Sequence, residues 1–483
     1  MKLNQRPILL LLLGLTVTSG AATSPCTFSK DWTRCVCDLM GLQNPESSIC
    51  VYALELELRD SRLEISEMDA ALDLSYLRSM RINKLILNNV TVSFSFIRTV
   101  IPFLPLKLKE IDIISSTLEV AQPLQLPELQ EASQITALLL KDVSVDPSLL
   151  QPSFQALHHW LFGSLASLGL VRSGLVEVDC EWAQRVENLT DLDLSENPGS
   201  YTGLQNISHC SSLSFKSLKS LHLGRSNLTS LQPLCTPLML TPALTQLDVS
   251  RNNFSIIHFP HCLQVKPLRT LNLSHSGITE VHSLLSASLE ELDLSYNYLE
   301  VFSSPLQTLK KLYLSYNRLI RLPSLDNLPC LKQLKVDSNL LSLLINETSV
   351  NPSKLEQLDV LHAGRNPYQC DCALSETINF LDSTDSVSVE DYPEEFLCAS
   401  PAAQQGTQIM NLSLESCEEP KPTSGTQHPH GRTSSPAAQQ GTKIMNSSLE
   451  PSVKPTSGTR HHHGSPLCLT LFVGLLSRLI CFC

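Results

Sequence analysis

One eleven-residue pattern constrains this chain more than any other feature. The spacing L-x-x-L-x-L-x-x-N-x-L recurs along it, most clearly in LTDLDLSENPG from Leu189, LTQLDVSRNNF from Leu244, LEELDLSYNYL from Leu289, LKKLYLSYNRL from Leu309 and LKQLKVDSNLL from Leu331. Looser copies start at Ile82, Leu108, Ile135, Leu165, Leu218, Leu268 and Leu355, and a degenerate unit starts near Val51, about thirteen in all. The x-L-x-L core alternates as a short strand, so its leucines share one face. A unit this short cannot bury that face alone and must stack on its neighbours, which makes one long parallel sheet. The Asn of each copy is suited to bond backbone groups as the chain turns away from the sheet. Asn197, Asn252, Asn297, Asn317 and Asn339 form an internal ladder on this reading, with Ser173, Ser226 and Ser276 in the weaker copies. Strand alternation argues against an amphipathic helical repeat.

The pattern resembles the leucine-rich repeat. That resemblance implies an α/β solenoid, a curved leucine-rich-repeat horseshoe with a concave parallel β-sheet and disulfide caps at both ends. The boundaries read as a signal peptide over 1–22, an N-terminal cysteine cap over 23–50, repeats over 51–366, a C-terminal cysteine cap over 367–417, a stalk over 418–466 and a hydrophobic tail over 467–483. The later units are short and even. The earlier ones are longer and uneven, with extra convex-side helices or loops expected, and function tends to sit where an array is irregular.

Export is legible in several places. Lys2 and Arg6 precede an apolar stretch from Ile8 to Val17, and Ser19 to Ala22 supply small residues for cleavage. Nine sequons follow, at Asn89, Asn188, Asn206, Asn227, Asn253, Asn272, Asn346, Asn411 and Asn446. With 35 basic and 47 acidic residues the chain carries a formal charge of −12 and no basic run, which excludes nucleic acid as the natural partner.

Cysteines gather where a solenoid would otherwise expose its core. Cys26, Cys35, Cys37 and Cys50 precede the repeats, and Cys370, Cys372, Cys398 and Cys417 follow them. Four cysteines allow three pairings. Between the caps, Cys180–Cys210 and Cys235–Cys262 would each tie neighbouring repeats, which leaves Cys330 as an unpaired small buried residue. Zinc on the C-x-C pair is disfavoured, because no second short-spaced pair and no nearby histidine accompany it.

After Cys417 the composition turns to Pro, Ser, Thr, Gly, Gln and His, with the segment SPAAQQGTQIMNLSLE from Ser400 repeated as SPAAQQGTKIMNSSLE from Ser435. His461 to His463 read as a solvated run rather than a metal site. Leu467 to Cys483 is apolar, interrupted by Arg478. Small residues at Ser457, Gly458 and Thr459, a short polar spacer and this tail fit a lipid-anchor signal with Ser457 as the attachment residue, against a short spanning helix or a secreted form. Motifs of hydrolases, zinc proteases and nucleotide enzymes are lacking, and His158–His159 reads as surface or packing. A non-enzyme without cofactor or metal is expected.

The start PCTFSKDWTRCVCD, the segment FQALHHWLFGSLASLGL, the LTDLDLSENPG repeat and the anchor-like tail resemble the monocyte differentiation antigen family. The C-terminal cap, NPYQCDCALSETINFL then YPEEFLC, is instead similar to that of Toll-like receptor ectodomains. Together with the outward divergence of neighbouring half-cystines, the likeness implies Cys26–Cys37, Cys35–Cys50, Cys370–Cys398 and Cys372–Cys417. It also implies a co-receptor on the outer face of the plasma membrane. That co-receptor would bind lipopolysaccharide or another microbial lipid, work with lipid-transfer proteins, and pass the lipid to a Toll-like receptor complex in inflammatory responses; a homodimer is left open.

In that family the lipid enters an apolar pocket near the N-terminal cap. Here Leu72, Leu74, Leu77, Phe94, Phe96, Ile97, Ile101, Phe103 and Leu104 are the candidates. Burying an acyl chain releases about 0.8 kcal/mol per methylene. Arg78, Arg81, Lys84 and Arg98 would supply a rim for anionic groups, with Arg59, Arg62, Lys107 and Lys109 close by in sequence. The competing reading is an adhesion or decoy receptor that binds protein on the concave face through positions such as Tyr313 and Lys335.

Overall fold

The computed structural model describes residues 26–38, 50–63, 80–93, 107–119, 133–145, 161–174, 186–206, 215–264, 267–282, 288–345 and 352–412. Their strands build a 16-stranded sheet that follows chain order. It opens on an antiparallel pair, Thr27–Phe28 with Arg34–Cys37. From there each pairing is parallel, ending with Val360–His362 against Ser388–Val389. The register aligns Leu192, Leu221, Leu247, Leu271, Leu292, Leu312, Leu334 and Leu361 in one buried row. Each such leucine contributes about 1.5–3 kcal/mol of burial, and the row is the spine of a curved leucine-rich-repeat solenoid.

Just past the rungs of the early units runs a second parallel sheet; most of the extra length of those units, where helices or loops are expected, falls outside the described residues, and its described part at Phe162–Ser164 is a short 3-10 helix. Arg62–Leu63, Thr91–Ser93, Thr117–Glu119 and Ser144–Val145 pair in turn. A smaller copy recurs further on, where Ile256–His258 pairs with Glu280–His282.

The asparagine ladder has an atomic basis. Asn297 Nδ2 donates to Leu273 O at 3.0 Å and Leu294 O at 2.9 Å, while its Oδ1 accepts from the N–H groups of Ser276 and Ile278 at 2.9 and 3.0 Å. Asn197, Asn252, Asn317 and Asn339 repeat the arrangement. Asn366, which the pattern did not single out, closes the series by accepting from Asn339 N and Leu341 N. Earlier in the chain the rung is occupied by Val90, Ser116 and Val143, all buried. Ser116 Oγ accepts from Val90 N at 3.0 Å and donates to Ile114 O at 2.6 Å, a thinner substitute for an amide.

The residue before each rung adopts positive φ. Asp60, Asn89, Ser115, Asp142, Arg172, Glu196, Arg225, Arg251, His275, Tyr296, Tyr316, Ser338 and Arg365 all lie between 48° and 62°. Such a conformation costs L-residues about 1 kcal/mol or more. It recurs because it turns the N–H toward the next repeat. Arg251 N donates to Ser274 O at 2.8 Å, His275 N to Ser295 O at 3.0 Å, Tyr296 N to Ser315 O at 2.9 Å and Arg365 N to Glu395 O at 2.7 Å. The strain is thus tied to a hydrogen bond between units, and these residues line up along one flank.

Disulfides join Cys26 to Cys37, Cys35 to Cys50, Cys235 to Cys262 and Cys370 to Cys398. Cys372 is also disulfide-bonded, to a residue outside the described ones, where Cys180, Cys210 and Cys417 fall as well. Cys330 corrects an expectation: it is buried, yet it too is disulfide-bonded to a residue outside the described set. Sequence spacing pairs cysteines of adjacent units and has no means to find a distant partner.

At the C-terminal end the helix Ser375–Ser383 covers the last repeat, with Ile378, Phe380 and Leu381 inward. Tyr368 is fully buried, stacks on Phe396 and donates its hydroxyl to Ala363 O at 2.7 Å. Among the described residues no helix is long and apolar enough to cross a membrane.

Candidate functional site: the N-terminal end, the concave face and one flank

The pocket candidates Leu72, Leu74, Leu77, Phe94, Phe96, Ile97, Ile101, Phe103 and Leu104 lie outside the described residues, as do Arg78 and Arg98. The described surroundings still carry information. Trp32, Tyr52 and Leu54 are 68%, 73% and 49% exposed. The backbone bond from Leu54 N to Thr33 O, 3.0 Å, brings the last of these beside the chain neighbour of Trp32. Three large apolar side chains therefore face outward where the cap meets the first repeat. No signal in the leucine pattern marks them, because Trp32 precedes the repeats and Tyr52 and Leu54 stand outside the leucine positions of the first unit.

The basic residues nearby divide into two groups. Lys84 lies on the concave strand and is ion-paired to Asp112 at 2.8 Å and Glu110 at 3.4 Å. Its burial opposes the charge, but those carboxylates outweigh it and hold the ammonium above its usual pKa. Arg59 pairs with Glu57 and Arg62 with Glu119. Glu57 is a nearly buried carboxylate gripped by Arg59, Arg34 and the Asn88 amide. Arg81, Lys107 and Lys109 are exposed, with Lys109 Nζ on Gln134 O. Of the proposed rim, Arg81 is the described member whose charge faces solvent.

Further along the concave face, His222 sits among carboxylates. Its Nε2 is 3.4 Å from Asp191 and 2.8 Å from Ser220 Oγ, and its Nδ1 is 3.8 Å from Asp248. Donation to Asp191 first and Asp248 second pushes its pKa up to about 10, against some desolvation. Asp191 is in turn held below the usual carboxylate range, chiefly by His222. Tyr313 and Lys335 are neighbours on this face, with the ammonium 5.7 Å from the ring centroid; both are half-buried. The sequon residue Asn272 lies on the same face, half-buried, its amide donating to Asp248 Oδ2 at 3.2 Å. Asn89, Asn188, Asn227, Asn253 and Asn411 are exposed. Asn206 ends the helix Ser200–Asn206, while Asn346, Asn446 and Ser457 fall outside the described residues.

The flank formed by the positive-φ residues was not anticipated. His275, Tyr296 and Tyr316 stack in series, with centroids 4.2 and 4.3 Å apart. Beside them Arg318 lies over the Tyr298 ring at 4.6 Å. Tyr298, Val301, Ile320 and Leu340 are exposed on the same loops. Arg251, Arg318 and Arg321 are exposed here too. A concentration of apolar side chains of this kind marks an interaction surface more often than chance exposure does. It could have been read in the sequence from the recurrence of Tyr just before the ladder Asn, in SYNY at Tyr296 and in SYNR at Tyr316.

Repeat geometry, ladder and caps define a leucine-rich-repeat protein. Comparison with known proteins agrees: the Leucine Rich Repeat family model matches residues 288–309. The chain is 34% identical over 252 residues to Toll-like receptor 2 of Mus musculus, covering 51% of this chain and 31% of that one. It is 29% identical over 380 residues to Toll-like receptor 2 of Bison bison, covering 75% and 46%. The chain thus spans about half the length, or less, of these curated relatives. Among solved structures, the mouse RP105/MD-1 complex is similar with a TM-score of 0.44 and 16% identity, over 75% of this chain and 67% of that one. The relatives found are receptors of the repeat class rather than enzymes.

Proposed function

We propose that this chain is an innate-immunity co-receptor of the outer cell surface. In this reading it binds an amphipathic microbial lipid, lipopolysaccharide or a related molecule, at its N-terminal end and hands it to a Toll-like receptor complex. The observation that carries the reading is the outward-facing group Trp32, Tyr52 and Leu54, beside the early irregular units that hold the apolar candidates from Leu72 to Leu104. The likeness to Toll-like receptor 2 supports the receptor class, and paired cysteines suit an oxidising, extracellular setting. A leader over 1–22, a stalk over 418–466, a lipid anchor at Ser457 and glycans on the exposed sequons complete the proposal. A homodimer is compatible with it.

The test is saturable binding of fluorescent lipopolysaccharide to the purified ectodomain, Ala22 to Cys417. Tyr52→Asp, Phe96→Asp and Arg81→Glu should each weaken it. Lys84 is a poor choice, because its reversal would place a carboxylate against Asp112 and Glu110. Wild-type protein that is folded and disulfide-intact yet does not bind would remove lipopolysaccharide as ligand. A second reading, a receptor for a protein ligand, draws on the aromatic flank from His275 to Leu340 rather than on the concave face, where Asp191, Asp248, Glu291 and Lys335 are already engaged with neighbours.

A further inference from the structure

The secondary sheet of the later repeats sets two imidazoles side by side. Ile256–His258 and Glu280–His282 run parallel, in register His258 with His282. The two rings stack with centroids 5.2 Å apart and planes 15° apart. Glu280, two residues before His282 and so on the same face of its strand, brings Oε2 to 2.9 Å from His282 Nε2. His282 and Glu280 are 48% and 60% exposed in their side chains, and His258 is exposed as well. No core packing calls for histidine at either position.

We infer that His258, His282 and Glu280 form an inter-repeat site for a divalent transition cation, with Zn(II) as the occupant the chemistry favours. Two neutral imidazoles and one carboxylate are the donor set of open three-ligand zinc sites, with water in the remaining position. Imidazole selects Zn(II), Cu(II) and Ni(II) over Ca(II) and Mg(II), which want all-oxygen shells. Ligation needs each nitrogen about 2.0–2.1 Å from the metal, so the rings must tilt toward one another from their stacked position. Both are at the surface, and exposed side chains change rotamer at small cost. Glu280 serves either as the third ligand or as the carboxylate that orients the His282 ring, an arrangement common around metal-bound histidines.

Among the described residues, two other clusters are already committed. The four N-terminal cysteines lie close together but are oxidised in pairs. The carboxylates around His222 are held by that imidazole. A cation at His258–His282 would tie the unit from Leu244 to the unit from Leu268. The Cys235–Cys262 disulfide, four residues beyond His258, anchors the same unit to the one before. Metal occupancy would therefore extend a chain of cross-links through three successive repeats.

The experiment is isothermal titration of the full, chelator-stripped chain with zinc chloride at neutral pH, set against His258→Ala/His282→Ala and Glu280→Gln. Because the chain has other histidines, including His461 to His463, the readout is the difference between proteins. The double variant should lose one equivalent of Zn(II). Glu280→Gln should keep the equivalent and weaken it several-fold. Zinc should raise the thermal midpoint of the wild type and not of the double variant. Unchanged stoichiometry and affinity in the double variant, or a wild-type midpoint indifferent to zinc, would overturn the assignment. Both substitutions are at exposed positions, so the variants should fold, and far-UV circular dichroism verifies it.

Discussion

Tyr296 lies flat against Tyr316, ring centroids 4.3 Å apart and planes 7° apart, although both residues are exposed and both hold a left-handed backbone. The stack joins two repeats on the flank, and Arg365 extends it by donating to the Tyr316 hydroxyl at 3.3 Å. Tyr316→Ala removes the contacts with Tyr296 and Arg365, and Tyr296→Ala those with His275 and Tyr316. We expect each to lower the thermal midpoint by on the order of 1–2 °C. The double variant should fall short of the sum, since both changes remove the same stack. Strict additivity in a double-mutant cycle would mean that the rings are neighbours without coupling.

Asn297 is the stronger dependence. Its side chain satisfies two buried N–H groups and two buried carbonyls from two units. Asn297→Ala leaves those groups without partners in a dry interior and should cost about 2–4 kcal/mol, read as a shift in the denaturant midpoint. Asn297→Asp should cost at least as much, because it keeps the acceptor, loses the donor and adds a buried charge.

How much of this was legible in the sequence depends on whether the information was local. The ladder was, because an amide is needed at a fixed offset from the strand leucines, and Asn197 to Asn339 carry it. Asn366 escapes because a start at Leu355 misplaces the last unit, whereas the register sets Leu361 beside Leu334 and so starts that unit at Leu358, with Asn366 at the asparagine position. The ion pairs were not legible. Lys84 was grouped with Arg78 and Arg81 by proximity in the chain, whereas parallel register sets it opposite Glu110 and Asp112, more than twenty residues away. The thirteen positive-φ residues were hidden for another reason. Asp60, Asn89, Asp142 and His275 are of types enriched in that conformation, but the Arg, Tyr, Ser and Glu residues are not, so there it is imposed by the hydrogen bond to the next unit and leaves no compositional trace. Trp32 precedes the repeats, and Tyr52 and Leu54 stand outside the leucine positions of the first unit, so only the folded cap reveals that they face outward.

The His222 cluster predicts a pH signature. Its folded pKa, about 10, exceeds the ordinary 6.5, so its stabilisation is complete below 6.5 and fades as pH rises toward 10. Its partners Asp191 and Asp248 are lowered, so their share is present above the ordinary carboxylate value of 3.8 and lost as pH falls below it. The imidazole is about a third exposed, and solvent screening reduces the effect to about 1–2 kcal/mol. His222→Ala should therefore be less stable than wild type by that amount at pH 6 and nearly equal to it at pH 10. A deficit that does not change over that range would show that His222 acts by packing and not by charge.

Two glycines should differ in their tolerance of alanine. At Gly169 the close contact of an added Cβ is with the end of the Leu139 side chain, Cδ1 at 2.5 Å, while the Leu139 backbone stays at an ordinary 3.8 Å, and Leu139 is half-exposed. Gly169→Ala should cost less than about 1 kcal/mol. At Gly364 the Cβ would meet Glu395 Cβ at 2.6 Å and Asp391 Oδ2 at 2.7 Å. Neither can retreat. Asp391 Oδ2 accepts from Gly364 N at 2.6 Å, and Glu395 holds Arg365 through two hydrogen bonds. Gly364→Ala should cost about 1–3 kcal/mol and loosen the C-terminal cap first. Hydrogen exchange would locate the loss: amides of Val360–His362 and Ser388–Val389 should exchange faster while those near Leu192 stay protected. Uniform loss along the solenoid would mean that the cap does not open separately from the repeats it covers.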